Sequence, residues 1–311
     1  MERMISRPKA QAQAFIILGF LALVWGSSFI LMKRALLSFP PFYVAAFRIM
    51  FAGIALAPFA WQYRKQFDRR LLKYYILAGV FGSALPALLF AIAQTHINST
   101  TASLLNALAP LSALLLGAIL FGVKPERNKI FGVMIGFAGA VLLVIAAHGD
   151  AATPSITWYA LLLVAATLCY GFNANLVGRY LHTSPPLLTN SIALGTLALV
   201  YGVALLVFNL APRADAVLPA WSSIAAHPLF WQSLGFLLVL SLIGTAFSNV
   251  LYVKLIQISS PIFATSVTYL IPIVAICWGL LDGEIITLLH TVGIVLILSG
   301  IFLVNRRSAK H

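Results

Sequence analysis

Charge is what this sequence has least of. Only 9% of its 311 residues are Asp, Glu, Lys or Arg, and just 7 are acidic, against about 25% charged residues in soluble domains. With 61% of the chain apolar and a mean hydropathy of +1.00, there is too little polar surface to meet water on all sides. A soluble globular domain is therefore excluded, and so is the usual division of a chain into units of about 150 residues. Cysteine is scarce as well: Cys169 and Cys277 both fall inside apolar stretches, which supports neither a disulfide framework nor a cysteine-based metal site. Enzyme motifs are missing too. There is no Asp-rich motif, no His-Glu-x-x-His and no Gly-rich phosphate loop, so a membrane-embedded enzyme acting on lipid or an isoprenoid would have no catalytic set. Nor is there a ring-forming repeat or re-entrant filter signature to suggest a channel. Composition leaves a non-transporting membrane subunit open.

What the chain does contain is long apolar runs. A helix needs about 20 apolar residues to cross about 30 Å of hydrocarbon. Ten segments qualify, at 13–34, 40–61, 72–94, 98–121, 129–147, 157–179, 186–209, 230–253, 261–281 and 286–304. The first follows Arg3, Arg7 and Lys9, but it is too long for a signal-peptide core and no small-residue cleavage site follows, so a retained helix is expected.

Ten spans place both termini on one side, and the cations test that topology. If the N-terminus is cytoplasmic, sixteen of the 20 cations share its side. They are Arg3, Arg7 and Lys9, then Arg64, Lys65, Arg69, Arg70 and Lys73, then Lys124, Arg127 and Lys129, with Arg179, Lys254, Arg306, Arg307 and Lys310. Lys33, Arg34 and Arg213 fall opposite, and Arg48 lies inside a span. Cytoplasmic loops carry such an excess of Lys and Arg. The net charge of +13 thus reports topology, and no nucleic-acid partner is inferred.

The sequence also repeats. A shift of 162 puts Gly82-Ser83-Ala84 on Gly244-Thr245-Ala246, Leu108 on Leu270 and Pro110 on Pro272. A shift of 161 aligns Gly132 and Gly139 with Gly293 and Gly300, and one of 145 aligns Trp25-Gly26 with Tyr170-Gly171. Two five-helix units follow, residues 1–150 and 151–311. Because five is odd, the second unit must enter the membrane inverted. Inverted repeats are a device of secondary transporters, in which the two units exchange conformations about a central site.

Trp25-Gly26-Ser27-Ser28-Phe29, the five-plus-five repeat, Pro110 and Pro272, and the spacing from Glu284 to Gly293 to Gly300 resemble the drug/metabolite transporter superfamily, specifically its EamA-domain proteins. The resemblance covers nearly the whole chain. It implies an all-α integral membrane protein with ten transmembrane helices as two inverted five-helix repeats. It further implies a carrier with a cavity between the repeats, of a kind that in bacterial inner membranes often exports amino acids and other metabolites. One departure stands out: Val123-Lys124 occupy the place in the first repeat that Glu284 holds in the second.

Polar residues inside spans should face the bundle interior or a water-filled cavity, since an unpaired polar group in hydrocarbon costs several kcal/mol. Ser99, Ser103, Asn106 and Pro110 form one stripe, and Thr265, Thr268, Tyr269 and Pro272 the matching one. They can line a cavity or serve as glue between helices, a bond worth about 0.6 kcal/mol. Thr245, Ser248, Asn249 and Tyr252 make a hydrophilic stripe whose counterparts are Ser83, Pro86, Ala87 and Phe90. Asn249 and Tyr252 are expected to hydrogen-bond a solute, with Phe90 and Trp25 as apolar walls. Ser28 and its counterpart Asn173 are further candidates. Arg48, the one cation well inside a span, can contact an anionic solute group or snorkel. The candidate solute-binding residues are therefore Trp25, Ser28, Arg48, Phe90, Ser103, Asn106, Asn173, Thr245, Asn249, Tyr252, Thr265 and Tyr269. No metal or cofactor site is expected, and the oligomeric state is left open.

All seven acidic residues fall in loops or at span ends, so no deeply buried carboxylate is available to carry a proton or hold sodium. His290 is read as a packing residue. Facilitated diffusion or exchange is thus expected. A neutral polar path with a single Arg suits a zwitterionic or weakly anionic metabolite, such as an amino acid, in a lipid bilayer.

Overall fold

The computed structural model describes residues 8–123, 131–132, 134–136, 138–139, 142, 154–210, 221–284 and 287–305. Among these, helices dominate and no strand occurs. They are α1 (Pro8–Ala35), α2 (Pro41–Gln62), α3 (Arg69–Ala93), α4 (Ser99–Phe121), α5 (Pro154–Tyr180), α6 (Pro186–Leu210), α7 (Phe230–Ile258), α8 (Phe263–Leu281) and α9 (Leu288–Asn305). The first eight are long and apolar enough to cross a bilayer, and α9 contributes the shorter apolar stretch Leu288–Gly300. The expected span 129–147 lies largely outside the described residues. Those of its residues that are described are helical.

One boundary differs from expectation. The segment expected to end at residue 253 runs on as helix to Ile258, so Lys254 sits inside α7 rather than in a loop. Its long apolar stem lets a Lys lie along a helix end while the ammonium stays wet, and nothing breaks the helix before Ser259, Ser260 and Pro261.

Caps and prolines set the other boundaries. Asn98 Oδ1 accepts the Thr101 amide at 2.8 Å to start α4, and Gly122 at φ 71° ends it in the left-handed conformation. Within α4 the chain makes a turn at Ala107–Leu108, dividing it into Ser99–Asn106 and Ala109–Phe121. Pro110 cannot return a hydrogen bond to the carbonyl four residues back, which is the physical cause of a break. Pro272 acts likewise in α8, where Ser266–Tyr269 form a 3₁₀ turn. Helices α3 and α7 each contain one π-helical stretch, Val80–Ala84 and Leu242–Phe247. Such stretches widen the helix locally and often occur at functional sites.

Helix α1 packs on α7 and α8, α5 packs on α3 and α4, and α2 packs on α6. Glycine makes the closest approaches possible. A Cβ on Gly26 would lie 2.5 Å from Val274 Cβ, and one on Gly171 would lie 2.5 Å from the Ala113 nitrogen. Gly139 abuts Gly293 and Ile297, while Gly300 abuts Gly132 and Gly136, so this seam runs antiparallel. Large apolar side chains such as Trp61, Leu199, Trp231 and Leu281 face outward. Helices apolar on both their packed and outer faces need lipid rather than water around them. The protein is an integral, multi-pass membrane protein.

Candidate solute-binding cavity

A cavity of about 100 Å³ lies inside the bundle, walled by residues from α1 to α8. At about 10–15 Å³ per water-sized atom it has room for roughly seven to ten of them, the size of a small metabolite. The structure brings Trp25, Ser28, Arg48, Phe90, Asn106, Asn173, Thr245, Asn249, Tyr252 and Thr265 together at its wall.

Ser103 and Tyr269 do not reach it. Ser103 is fully buried and its hydroxyl donates to the Thr100 carbonyl at 2.7 Å, a bond within its own helix. Tyr269 ends the 3₁₀ turn and lines a separate crevice with Leu104, Ala107 and Pro272. A 3₁₀ helix advances 120° per residue rather than 100°, so four residues rotate the face by roughly 80°. A stripe drawn on a straight α-helix misplaces that ring.

The wall also contains residues that the sequence stripes did not include: Gln94, Tyr170, Thr189 and Asn190. Gln94 lies at the very end of an apolar run, where a polar residue usually marks the interface. Tyr170 carried a usable signal, because it is the repeat counterpart of Trp25.

Hydrogen bonds hold the wall in shape. Trp25 Nε1 donates to the Gly244 carbonyl at 2.9 Å, inside the π-helical stretch of α7, and its ring meets Tyr252 edge-on at 5.2 Å. Asn249 Nδ2 donates to Ser83 Oγ at 2.7 Å, tying α7 to α3. Arg48 Nε donates to Thr245 Oγ1 at 2.7 Å, and that hydroxyl in turn donates to the Leu240 carbonyl at 3.0 Å. Phe90 sits between Phe29 and Tyr170, with ring centroids 5.7 and 6.1 Å away.

Two features of this wall are unspent. Among the described residues, ion pairs form only between Lys33 or Arg34 and Asp282 or Glu284, so no carboxylate neutralises Arg48. Gln94 Oε1, Asn106 Oδ1 and Asn173 Oδ1 are buried with no hydrogen-bond partner among the described residues. The Gln94 amide is oriented by its Nε2, which donates to the Phe29 carbonyl at 3.1 Å. A buried acceptor without a partner costs about 1–3 kcal/mol. Among the described residues no group of three or more His, Cys, Asp or Glu side chains could hold a metal ion.

Asp282 and Glu284 lie together at one end of the bundle, away from the cavity wall. Glu284 Oε1 accepts from Lys33 Nζ at 2.8 Å, from the Ser99 amide at 3.1 Å and from Ser99 Oγ at 2.6 Å. Its Oε2 accepts from the Thr100 amide at 3.0 Å and Thr100 Oγ1 at 2.6 Å. Asp282 takes Lys33 Nζ at 2.6 Å and also pairs with Arg34. Burial alone would raise the Glu284 pKa, but the hydrogen bonds from Lys33, Ser99 and Thr100 together outweigh it and hold the carboxyl down to about 2.

Comparison with known proteins agrees with this architecture. The family model described as the EamA-like transporter family matches residues 13–145 and 157–306. The "Uncharacterized inner membrane transporter YedA" of Escherichia coli is 27% identical, over 92% of this chain and 88% of its own. An "Uncharacterized transporter" of Archaeoglobus fulgidus is 25% identical over 94% and 99%. The "Probable terminal-alkyne amino-acid exporter" of Streptantibioticus cattleyicolor is 26% identical over 91% and 90%. A solved crystal structure superposes with a TM-score of 0.61 at 20% identity, covering 94% of this chain and 96% of the other, so the fold is shared. With a family model matching residues 13–145 and 157–306, relatives named as transporters that align along most of their length, and a cavity with polar side chains in its wall enclosed by apolar helices, the chain belongs to the EamA-like transporter family.

Proposed function

We propose that this protein is a secondary carrier, not an enzyme, for a small zwitterionic or weakly anionic metabolite. An amino acid or a close relative is the best fit. The observation that carries the reading is the unspent chemistry of the cavity: among the described residues Arg48 has no counter-ion, and three buried amide oxygens, on Gln94, Asn106 and Asn173, have no donor. A carboxylate satisfies the first and an ammonium the others. One relative carries amino-acid export in its name, and export or exchange is proposed here.

We read the mechanism as alternating access between two inverted five-helix halves, residues 1–150 and 151–311. The packing supports this, since exchanging the halves turns the α1–α8 contact into α5–α4 and the α1–α7 contact into α5–α3, while α2–α6 maps onto itself. The π-helical stretches correspond under the shift of 162, and the seam of Gly132 and Gly139 against Gly300 and Gly293 maps onto itself under the shift of 161. By the positive-inside rule, both termini face the cytoplasm in a bacterial inner membrane, and the Glu284 end faces the periplasm.

The test is flux of a broad metabolite set in proteoliposomes. Amino-acid exchange is expected, and Asn249→Leu should abolish it. Absence of flux for every solute, from a protein that keeps its thermal transition, would refute the carrier reading.

A further inference from the structure

The half-helix Ser99–Asn106 has different partners at its two ends. At its start the Ser99 and Thr100 amides and hydroxyls all donate to Glu284, and one residue further Thr101 Oγ1 meets His290 Nε2 at 3.1 Å. At its finish Asn106 borders the cavity with an unpartnered amide oxygen. The break at Ala107–Leu108 separates this segment from Ala109–Phe121, so it can move as a unit.

The half-helix Ser99–Asn106 packs on α1, α5 and α8 and the second part of α4 on α5, while Glu284 follows α8. Its bonds to Ser99 and Thr100 therefore bridge the α1–α8 pair and the α4–α5 pair at one mouth of the path. Among the described residues the other mouth shows no equivalent. The repeat puts Pro261 and Ile262 where Ser99 and Thr100 stand, and Val123 where Glu284 stands. There Pro261 seats against Gly178, and Arg179 Nη1 donates to the Phe121 carbonyl at 2.9 Å. Among the described residues one mouth closes through a carboxylate with five donors, the other through apolar contact and hydrogen bonds to neutral acceptors, those of Arg179 on Phe121 and of Gln257 on Leu181 and Ser184.

We propose that Glu284 is the latch of its mouth. Releasing Ser99 and Thr100 lets Ser99–Asn106 swing away and opens the cavity on that side, and the unequal closures bias the resting carrier toward being shut there. This rests on the alternating-access reading above, and on the proposed orientation for which membrane face is concerned.

The test places a single cysteine at Ala109 in the cavity wall, in the full-length chain with Cys169→Ala and Cys277→Ala. A membrane-impermeant maleimide is then added to one side at a time, using intact spheroplasts and inverted vesicles. Glu284→Gln should speed labelling through the latched mouth about tenfold or more, the scale of one lost charge-assisted hydrogen bond. Gly279→Ala should do the same with every charge intact, because its methyl would take the place of the Thr100 hydroxyl and crowd Glu284 Oε2 at 2.8 Å. Parental labelling rates from both sides, in variants that keep the parental thermal transition, would overturn the latch. A disulfide between Thr100→Cys and Gly279→Cys should halt exchange in proteoliposomes until dithiothreitol is added; undiminished exchange after complete cross-linking would also overturn it. Fast labelling that enters from the cytoplasmic face would instead reverse the proposed orientation and leave the latch standing. Loss of the carrier reading would show separately, as a parental chain that moves no solute.

Discussion

Replacing Arg48 by Met should separate transport from stability. Its Nε is committed to Thr245 Oγ1, and no carboxylate stands in reach among the described residues, so the terminal guanidinium nitrogens are what a solute carboxylate would meet. A hydrogen bond to a charged group contributes about 1.5–3 kcal/mol, and a bidentate pair therefore about 3–6 kcal/mol. At about 1.4 kcal/mol per tenfold, the half-saturation concentration for a carboxylate solute should rise at least about 100-fold. Stability should move the other way or not at all. A half-buried charge with no counter-ion among the described residues carries a desolvation cost that Met removes, and a Met of similar length fills the same space. Thr245 is not orphaned, since its hydroxyl keeps its bond to the Leu240 carbonyl. Exchange kinetics in proteoliposomes and a thermal melt in detergent measure both quantities. Unchanged half-saturation, or a melting temperature that falls by several degrees, would refute the assignment of Arg48 as the anion contact.

Four further outcomes follow from the same geometry. Gly171→Ala should destabilise by about 1–3 kcal/mol, because its Cβ would lie 2.5 Å from backbone atoms of Ser112 and Ala113 that cannot swing aside. Gly195→Ala, with nothing within 4 Å, should stabilise α6 by about 0.5–1 kcal/mol in the same melt. The Glu284 carboxyl is held down to about 2 in the folded chain, so its contribution is present above the ordinary carboxylate value of about 4.3 and is lost as pH falls toward 2. A melt series from pH 6 to pH 2 should show that loss in the parent and a shallower one in Glu284→Gln; equal slopes would mean Glu284 is not the group responsible. An imposed pH gradient should not drive solute accumulation in proteoliposomes, as the cavity wall holds no carboxylate to carry the proton.

Much of this was legible because membranes punish polar residues so heavily. Arg48, Asn249 and Asn173 stand out against apolar runs, and in hydrocarbon such residues have few places to point. Legibility failed where the helix was not straight or the residue not conspicuous. Tyr269 was misplaced by a 3₁₀ turn and Gln94 hidden at a span end, while Ser103 spends its hydroxyl on its own helix. The latch was half visible. Val123 facing Glu284 across the repeat is an asymmetry in the letters, but its meaning depends on bonds between residues 185 positions apart, which no local pattern announces.

The antiparallel glycine seam has a consequence for how the chain is made. Gly132, Gly136 and Gly139 leave the ribosome long before Gly293 and Gly300, the residues whose backbones they touch. That face of the chain therefore enters the lipid before the backbones of Gly293 and Gly300 can meet it. Completion of the seam is a late event, one that waits until α9 has been made.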